Sequence, residues 1–346
     1  MFQGTSRTRR GRVLVRRLVY RRLLTFVVVA GLMASITTAP VAVSASPPVL
    51  DLEALTGAQL LQMMNNGQLT SVQLCQDYLE RIDALNKRGP GLNAVAQINP
   101  NWMSEAAASD ARRAAGADHL LGPADGLPIL MKDLIDVTGM YTSAGNYSLR
   151  NSFPATDAGI TENLRARGVV ILGKLGLTEF ANSFGSQPSG FSNLTGQVIN
   201  GIDADQNPSG SSSGTGASMA AALATLGIGT ETSGSIISPS STQGIVGLRP
   251  TVGLVPGDGI APIDVSQDTA GPMVRTVGDA ALTLQSIAGT VPDDTEYADI
   301  FGPDYYTTGV IPVPPDPLPN TSQRSISISS MARRLAITVP SRPAAR

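Results

Sequence analysis

The chain has 346 residues, 42% hydrophobic and 15% charged, the make-up of an ordinary globular protein with enough apolar material for one large domain or two smaller ones. Its net charge of −2 is unevenly spread: Arg7, Arg9, Arg10, Arg12, Arg16, Arg17, Arg21 and Arg22 crowd the start, and no acid precedes Asp51. Without those eight arginines, 17 basic residues face 27 acidic ones, about −10, which argues against nucleic acid or an anionic membrane as a partner.

Residues 1–45 read as an export signal. The arginines lead into the apolar run Leu23 to Ile36, and Val43-Ser-Ala45 before Ser46 has the small residues of a cleavage site. Arg21-Arg22 followed by Leu-Leu-Thr-Phe resembles a twin-arginine signal. The apolar run is shorter than the roughly 20 residues a spanning helix needs. A secreted or periplasmic protein is therefore expected, with an uncleaved membrane anchor as the alternative. One cysteine, Cys75, excludes an intramolecular disulfide; on the buried-looking face of a helix, with no histidine near, it reads as a core residue.

Beyond Pro47-Pro48 the pattern alternates. Thr56 opens a short helix to Asn65, and Ser71 caps a second carrying Val72, Leu74, Leu79, Ile82 and Leu85 at helical spacing. A helix over Met103 to Ala115 precedes a strand over Leu127 to Leu134. A helix near Ile160 to Arg167 then leads into the strand Val169 to Lys174. A helix from Gly214 to Leu226 follows the serine-rich loop Pro208 to Ala217, and a strand toward Gly229 runs into a serine turn, Glu231 to Ser238. This alternation predicts an α/β fold. From Phe301 to Arg346, Pro- and Ser-rich tracts show no usable periodicity and read as a disordered tail. The expected organisation is a signal at 1–45, a domain at 46–300 and a tail at 301–346.

Two serine loops and a single histidine, His119, narrow the chemistry. A nucleophilic serine needs a base, and His119 lies in the polar stretch Gly116-Ala-Asp-His-Leu, upstream of both loops. Gly210-Ser-Ser-Ser-Gly214 fits the nucleophile elbow G-x-S-x-G on Ser212, but that fold requires acid and then histidine after the serine. Gly168-Val-Val-Ile-Leu-Gly-Lys174 mimics a phosphate loop, yet its β-formers make a strand and Leu175 stands where a magnesium-binding hydroxyl belongs. With one His and one Cys, no metal site is expected, and no cofactor. The base is then a lysine. Of Lys87, Lys132 and Lys174, Lys132 ends an apolar strand-like run, and none has a serine three residues before it, which excludes a Ser-x-x-Lys pair.

Gly126-Leu-Pro-Ile-Leu-Met-Lys-Asp133, the Ser-Gly loop after Asn207-Pro208, and Gly229-Thr-Glu-Thr-Ser-Gly-Ser-Ile236 resemble the amidase signature family. Leu172 to Ala181 and Gly247 to Gly253 add support, and the resemblance covers most of residues 50 to 290. Ile236-Ile-Ser-Pro239 and the stretch from Asp258 to Thr269 look most like its peptide amidase branch. The resemblance implies a mixed, twisted sheet covered by helices and hydrolysis of a carboxylic or peptide amide without a cofactor. It further implies Lys132 as base, Ser211 as a bridging serine preceded by a cis peptide bond, and Ser235 as nucleophile. Backbone N–H groups of Thr232, Ser233, Gly234 and Ser235 would stabilise the oxyanion.

Elementary chemistry agrees: a lysine beside Ile129, Leu130 and Met131 is desolvated, which favours its neutral form. Gly210, Ser212 and Ser213 would support the loop, the latter two through local hydrogen bonds or by capping the next helix. Departures from the family pattern fall at Ser209, Ser233 and Ile237. The matching stretch stops near Ala288, so the fold is expected to be incomplete toward the C-terminus. The competing readings are an inactive homologue and an amidotransferase A-type subunit.

Overall fold

The computed structural model describes residues 50–185 and 187–289. The expected export segment and Pro/Ser-rich tail lie outside the described residues. Two capping boxes fix the first helices. Thr56 accepts from the Gln59 N–H and opens α1 (Gly57–Asn65), and Thr70 does the same with Gln73 for α2 (Ser71–Ile82). The cap of α2 is thus Thr70, one residue before the expected Ser71. Ser71 instead turns its hydroxyl to the Gly126 carbonyl at 2.7 Å, tying α2 to the segment that enters the sheet. The helix runs on into a π-helical turn, Asp83–Lys87.

Short β1 (Val95–Ile98) and α3 (Trp102–Ala115) precede β2 (Pro128–Lys132). Then come α4 (Gly159–Ala166), β3 (Val170–Leu175), a small hairpin of β4 (Phe191–Ser192) and β5 (Gly196–Gln197), α5 (Ser213–Ala220) and β6 (Leu226–Glu231). The described part closes with α6 (Ile237–Thr242), β7 (Val246–Gly247), β8 (Thr269–Val274) and α7 (Val277–Ile287). The main sheet has the order β1-β3-β2-β6-β8-β7. Its centre is parallel, β3 with β2 and β2 with β6, while β1, β8 and β7 pair antiparallel. The sheet is therefore mixed and the fold α/β.

Every residue of β2, β3 and β6 is buried. Strands covered on both faces read as unbroken apolar runs, and these do, except for Lys132, Lys174 and the Thr230-Glu231 pair near their C-terminal ends. In such sheets a site forms beyond the carboxyl ends of the parallel strands. Lys132 ends β2, and Glu231 ends β6 and leads into the serine turn. The helix expected over Gly214 to Leu226 is the shorter α5. Ala222 turns to φ 51 after it, and the chain reverses into β6. Gly214 seats α5 against the end of β3: a Cβ there would stand 2.3 Å from the Gly176 carbonyl oxygen and 2.7 Å from that of Ala94.

Candidate active site

Lys132 is fully buried. Its Nζ lies 2.7 Å from Ser211 Oγ and 2.9 Å from Thr230 Oγ1, with the Thr230 carbonyl at 3.4 Å. Burial pushes its pKa down to about 7, while the carboxylates of Asp268 and Glu231 pull upward. At neutral pH a large share of such an amine is unprotonated and able to accept a proton. Lys174, one strand away, is buried as well, but its partners differ. It reaches the Asp133 carboxylate at 3.4 Å, Thr142 Oγ1 at 2.7 Å and the Tyr141 carbonyl at 2.7 Å. Lys174 thus has a countercharge and a structural task, whereas Lys132 meets two hydroxyls. Lys132 is the last residue of β2 and Lys174 the last but one of β3, so the countercharge is what distinguishes their surroundings.

The loop carrying Ser211 is held from several sides. Ser209 adopts φ 60, and the Gly210–Ser211 peptide is cis, as the family resemblance implied. The Ser211 carbonyl accepts from the Thr178 N–H at 3.1 Å. A side chain at Gly210 would collide with Thr178 Oγ1, 2.5 Å from the Cβ position. Ser212 occupies the N-cap position of α5 without capping it. Its hydroxyl instead donates to the Thr230 carbonyl at 3.1 Å and accepts from the Thr230 N–H at 3.2 Å, fastening the loop to β6. Ser213 donates within the loop, to the Ser209 carbonyl at 2.6 Å. Of the two roles considered for these serines, local hydrogen bonding is the one observed.

Ser235 sits on the turn after β6, partly exposed, with Gly234 at φ 100. The turn is gripped by Glu231, whose carboxylate accepts from the N–H groups of Ile236 at 2.8 Å and Ile237 at 2.9 Å and pairs with Arg249 at 3.4 Å. Thr232 donates its hydroxyl to Asp268, which also accepts from the N–H groups of Ile263 and Asp264. The Ser212 N–H donates to the Ser235 carbonyl at 3.3 Å, so the two serine loops touch. Among the described residues, the N–H groups of Thr232, Ser233, Gly234 and Ser235 have no internal acceptor, and the Ser235 hydroxyl makes no hydrogen bond.

Lys132, Ser211 and the Ser235 turn therefore share one end of the sheet. His119 stands exposed before β2 begins. Cys75 is buried in α2, its thiol pushed up to about 12 mainly by burial. Among the described residues no group of three or more His, Cys, Asp or Glu side chains could hold a metal ion. Sequence reasoning missed Thr230, Glu231, Asp268 and Thr178. Each stood inside a quoted stretch, but only the tertiary arrangement reveals which side chains turn inward.

A family model described as Amidase matches residues 73–312. A probable amidase of Arabidopsis thaliana is 42% identical over 245 residues, covering 69% of this chain and 47% of its own length. A glutamyl-tRNA(Gln) amidotransferase A-type subunit from Bdellovibrio bacteriovorus is 39% identical, covering 71% and 48%. The crystal structure of the native peptide amidase of Stenotrophomonas maltophilia superposes with a TM-score of 0.68 at 46% identity, over 71% of this chain and 50% of that one. The chain spans about half the length of these relatives. With the family model covering well over half of its residues and the same fold at 46% identity, the chain belongs to the amidase family.

Proposed function

We propose that the protein hydrolyses carboxylic or peptide amides through a Lys132–Ser211–Ser235 relay. The observation that carries this is the 2.7 Å hydrogen bond between the Lys132 amine and the Ser211 hydroxyl at full burial, beside a turn whose N–H groups have no acceptor among the described residues. In the forward step neutral Lys132 takes the Ser211 proton, Ser211 takes the Ser235 proton, and Ser235 Oγ bonds to the amide carbonyl carbon. The electron pair of the C=O π bond moves to oxygen, where the N–H groups of residues 232–235 stabilise the charge. The proton held on Lys132 returns through Ser211 to the leaving nitrogen as the C–N bond breaks, leaving an ester on Ser235. Water, deprotonated by the same relay, releases the acid. Likeness to the peptide amidase supports amides of small peptides as substrates. No cofactor takes part in these steps.

The Ser212 N–H to Ser235 carbonyl hydrogen bond already ties the two serine loops together, and the relay requires the Ser235 hydroxyl to turn toward Ser211. The test is ammonia release from a C-terminally amidated dipeptide across a pH series. The acid limb is expected to have its midpoint near 7, the value set by Lys132. A rate independent of pH from about 5 to 9, or full activity in a Lys132→Met variant, overturns the proposal.

A further inference from the structure

The loop carrying Ser211 and the turn carrying Ser235 meet through few bonds. The Ser212 N–H reaches the Ser235 carbonyl at 3.3 Å, beyond the usual range for such a bond. The turn runs straight into α6, and α6 is tied back to the Ser211 loop at both ends. At the far end the buried Gln243 amide donates to the carbonyls of Pro208 at 3.0 Å and Ser213 at 3.4 Å, while its oxygen accepts from the Gly201 N–H at 2.8 Å. At the near end, just past Ser235, the Ser238 hydroxyl lies 2.7 Å from that of Ser209. Among the described residues this is the one hydrogen bond between side chains that joins the loop to residues 231–238.

Both partners are anchored to the parts they would hold. The Ser238 N–H donates to the Gly234 carbonyl at 2.8 Å, within the turn itself. The Ser209 N–H donates to the Asn207 side chain at 2.7 Å, and its carbonyl accepts from the Ser213 hydroxyl at 2.6 Å. Its φ of 60 lies in the left-handed region, where a side chain is disfavoured and glycine is the common choice. A side chain at such an angle points to a use for it. Ser209 is also one of the places where this chain departs from the family pattern.

We propose that the Ser209–Ser238 hydroxyl pair is a positioning clasp that sets the spacing between Ser211 and Ser235. The inference rests on the relay reading above and deepens it. Neither hydroxyl bonds to Lys132, Ser211 or Ser235, so the pair acts through the loop and the turn. It sits at the rim, away from the buried surroundings of Lys132, and its loss changes placement rather than basicity.

Ser238→Ala, Ser209→Ala, the double variant and Ser238→Thr test this on the full chain, through ammonia release from the amidated dipeptide and the rate of fluorophosphonate labelling. Ser241→Ala is the control, exposed on the same helix and with no hydrogen bond from its hydroxyl among the described residues. Each single alanine variant should lower kcat and the labelling rate about tenfold, with KM within about twofold. The double variant should be no slower than either, since all three lose one shared interaction. The acid limb should keep its midpoint near 7, and Ser238→Thr, which retains a hydroxyl, should match wild type, as should Ser241→Ala. Where one alanine variant does not fold, the other decides together with Ser238→Thr. Wild-type labelling rates in the alanine variants, losses that multiply in the double variant, a displaced acid limb, or a Ser238→Thr as slow as Ser238→Ala overturns the clasp and leaves the relay standing. A folded wild-type chain that neither releases ammonia nor takes the probe overturns the amidase reading itself, and the clasp with it.

Discussion

Replacing Lys132 by Met should alter how stability depends on pH, whether or not the protein turns over an amide. Lysine's ordinary pKa of 10.5 falls to about 7 here because burial disfavours the ammonium. At about 1.4 kcal/mol per pKa unit, holding that ammonium in the folded state costs on the order of 5 kcal/mol below pH 7. Above 7 the folded chain sheds the proton while the unfolded chain keeps it up to about 10.5. Over that window the unfolded state binds more protons, so wild-type stability rises with pH, and the gain is complete only above the unfolded value. Met carries no such proton.

Urea unfolding of both proteins at about pH 7.5 and about pH 9.5 should therefore show wild type gaining roughly 2 kcal/mol on Lys132→Met between the two conditions. Cys75 and Tyr78, both pushed up to about 12 by burial, contribute equally to the two proteins and cancel in the difference. The lost hydrogen bonds to Ser211 and Thr230 add an offset that pH does not change. Parallel pH dependences would show that Lys132 stays charged when folded, and the reasoning that makes it a base would fail.

Lys174→Met should cost about 3–5 kcal/mol in urea unfolding, because it strands the buried Asp133 carboxylate, and Lys174→Met/Asp133→Asn should recover most of that. Gly214→Ala should cost about 1–3 kcal/mol, since both of its nearest contacts are backbone oxygens that move only if α5 lifts from β3. Glu231→Gln keeps one acceptor for the Ile236 and Ile237 N–H groups and loses the pair with Arg249. It should slow acylation of Ser235 by roughly a hundredfold through misplacement of the turn, with KM little changed.

Much of this architecture is legible in the residues. Thr56 and Thr70 each stand three before a glutamine, and the unbroken apolar runs of β2 and β3 announce strands covered on both faces. Short β1 gives too few residues for a period, and β8 contains Gly271 and Pro272, residues that argue for a turn. Its strand character comes from pairing with β6 and β7, a tertiary effect. In the site, the order of Lys132, Ser211 and Ser235 was readable because each lies in a distinctive local pattern. The side chains that set the geometry were not. Glu231 and Asp268 are ordinary acids in sequence and become clamps only when the turn folds back on them.

The central claim is that Ser235 is an activated nucleophile. Its most direct test is intact-mass labelling of the chain from Ser46 onward with a fluorophosphonate probe, beside Ser235→Ala. A single adduct on the wild type that is absent from Ser235→Ala is the predicted result. A soluble, folded wild-type chain that takes no adduct, or an adduct that persists in Ser235→Ala, would contradict it.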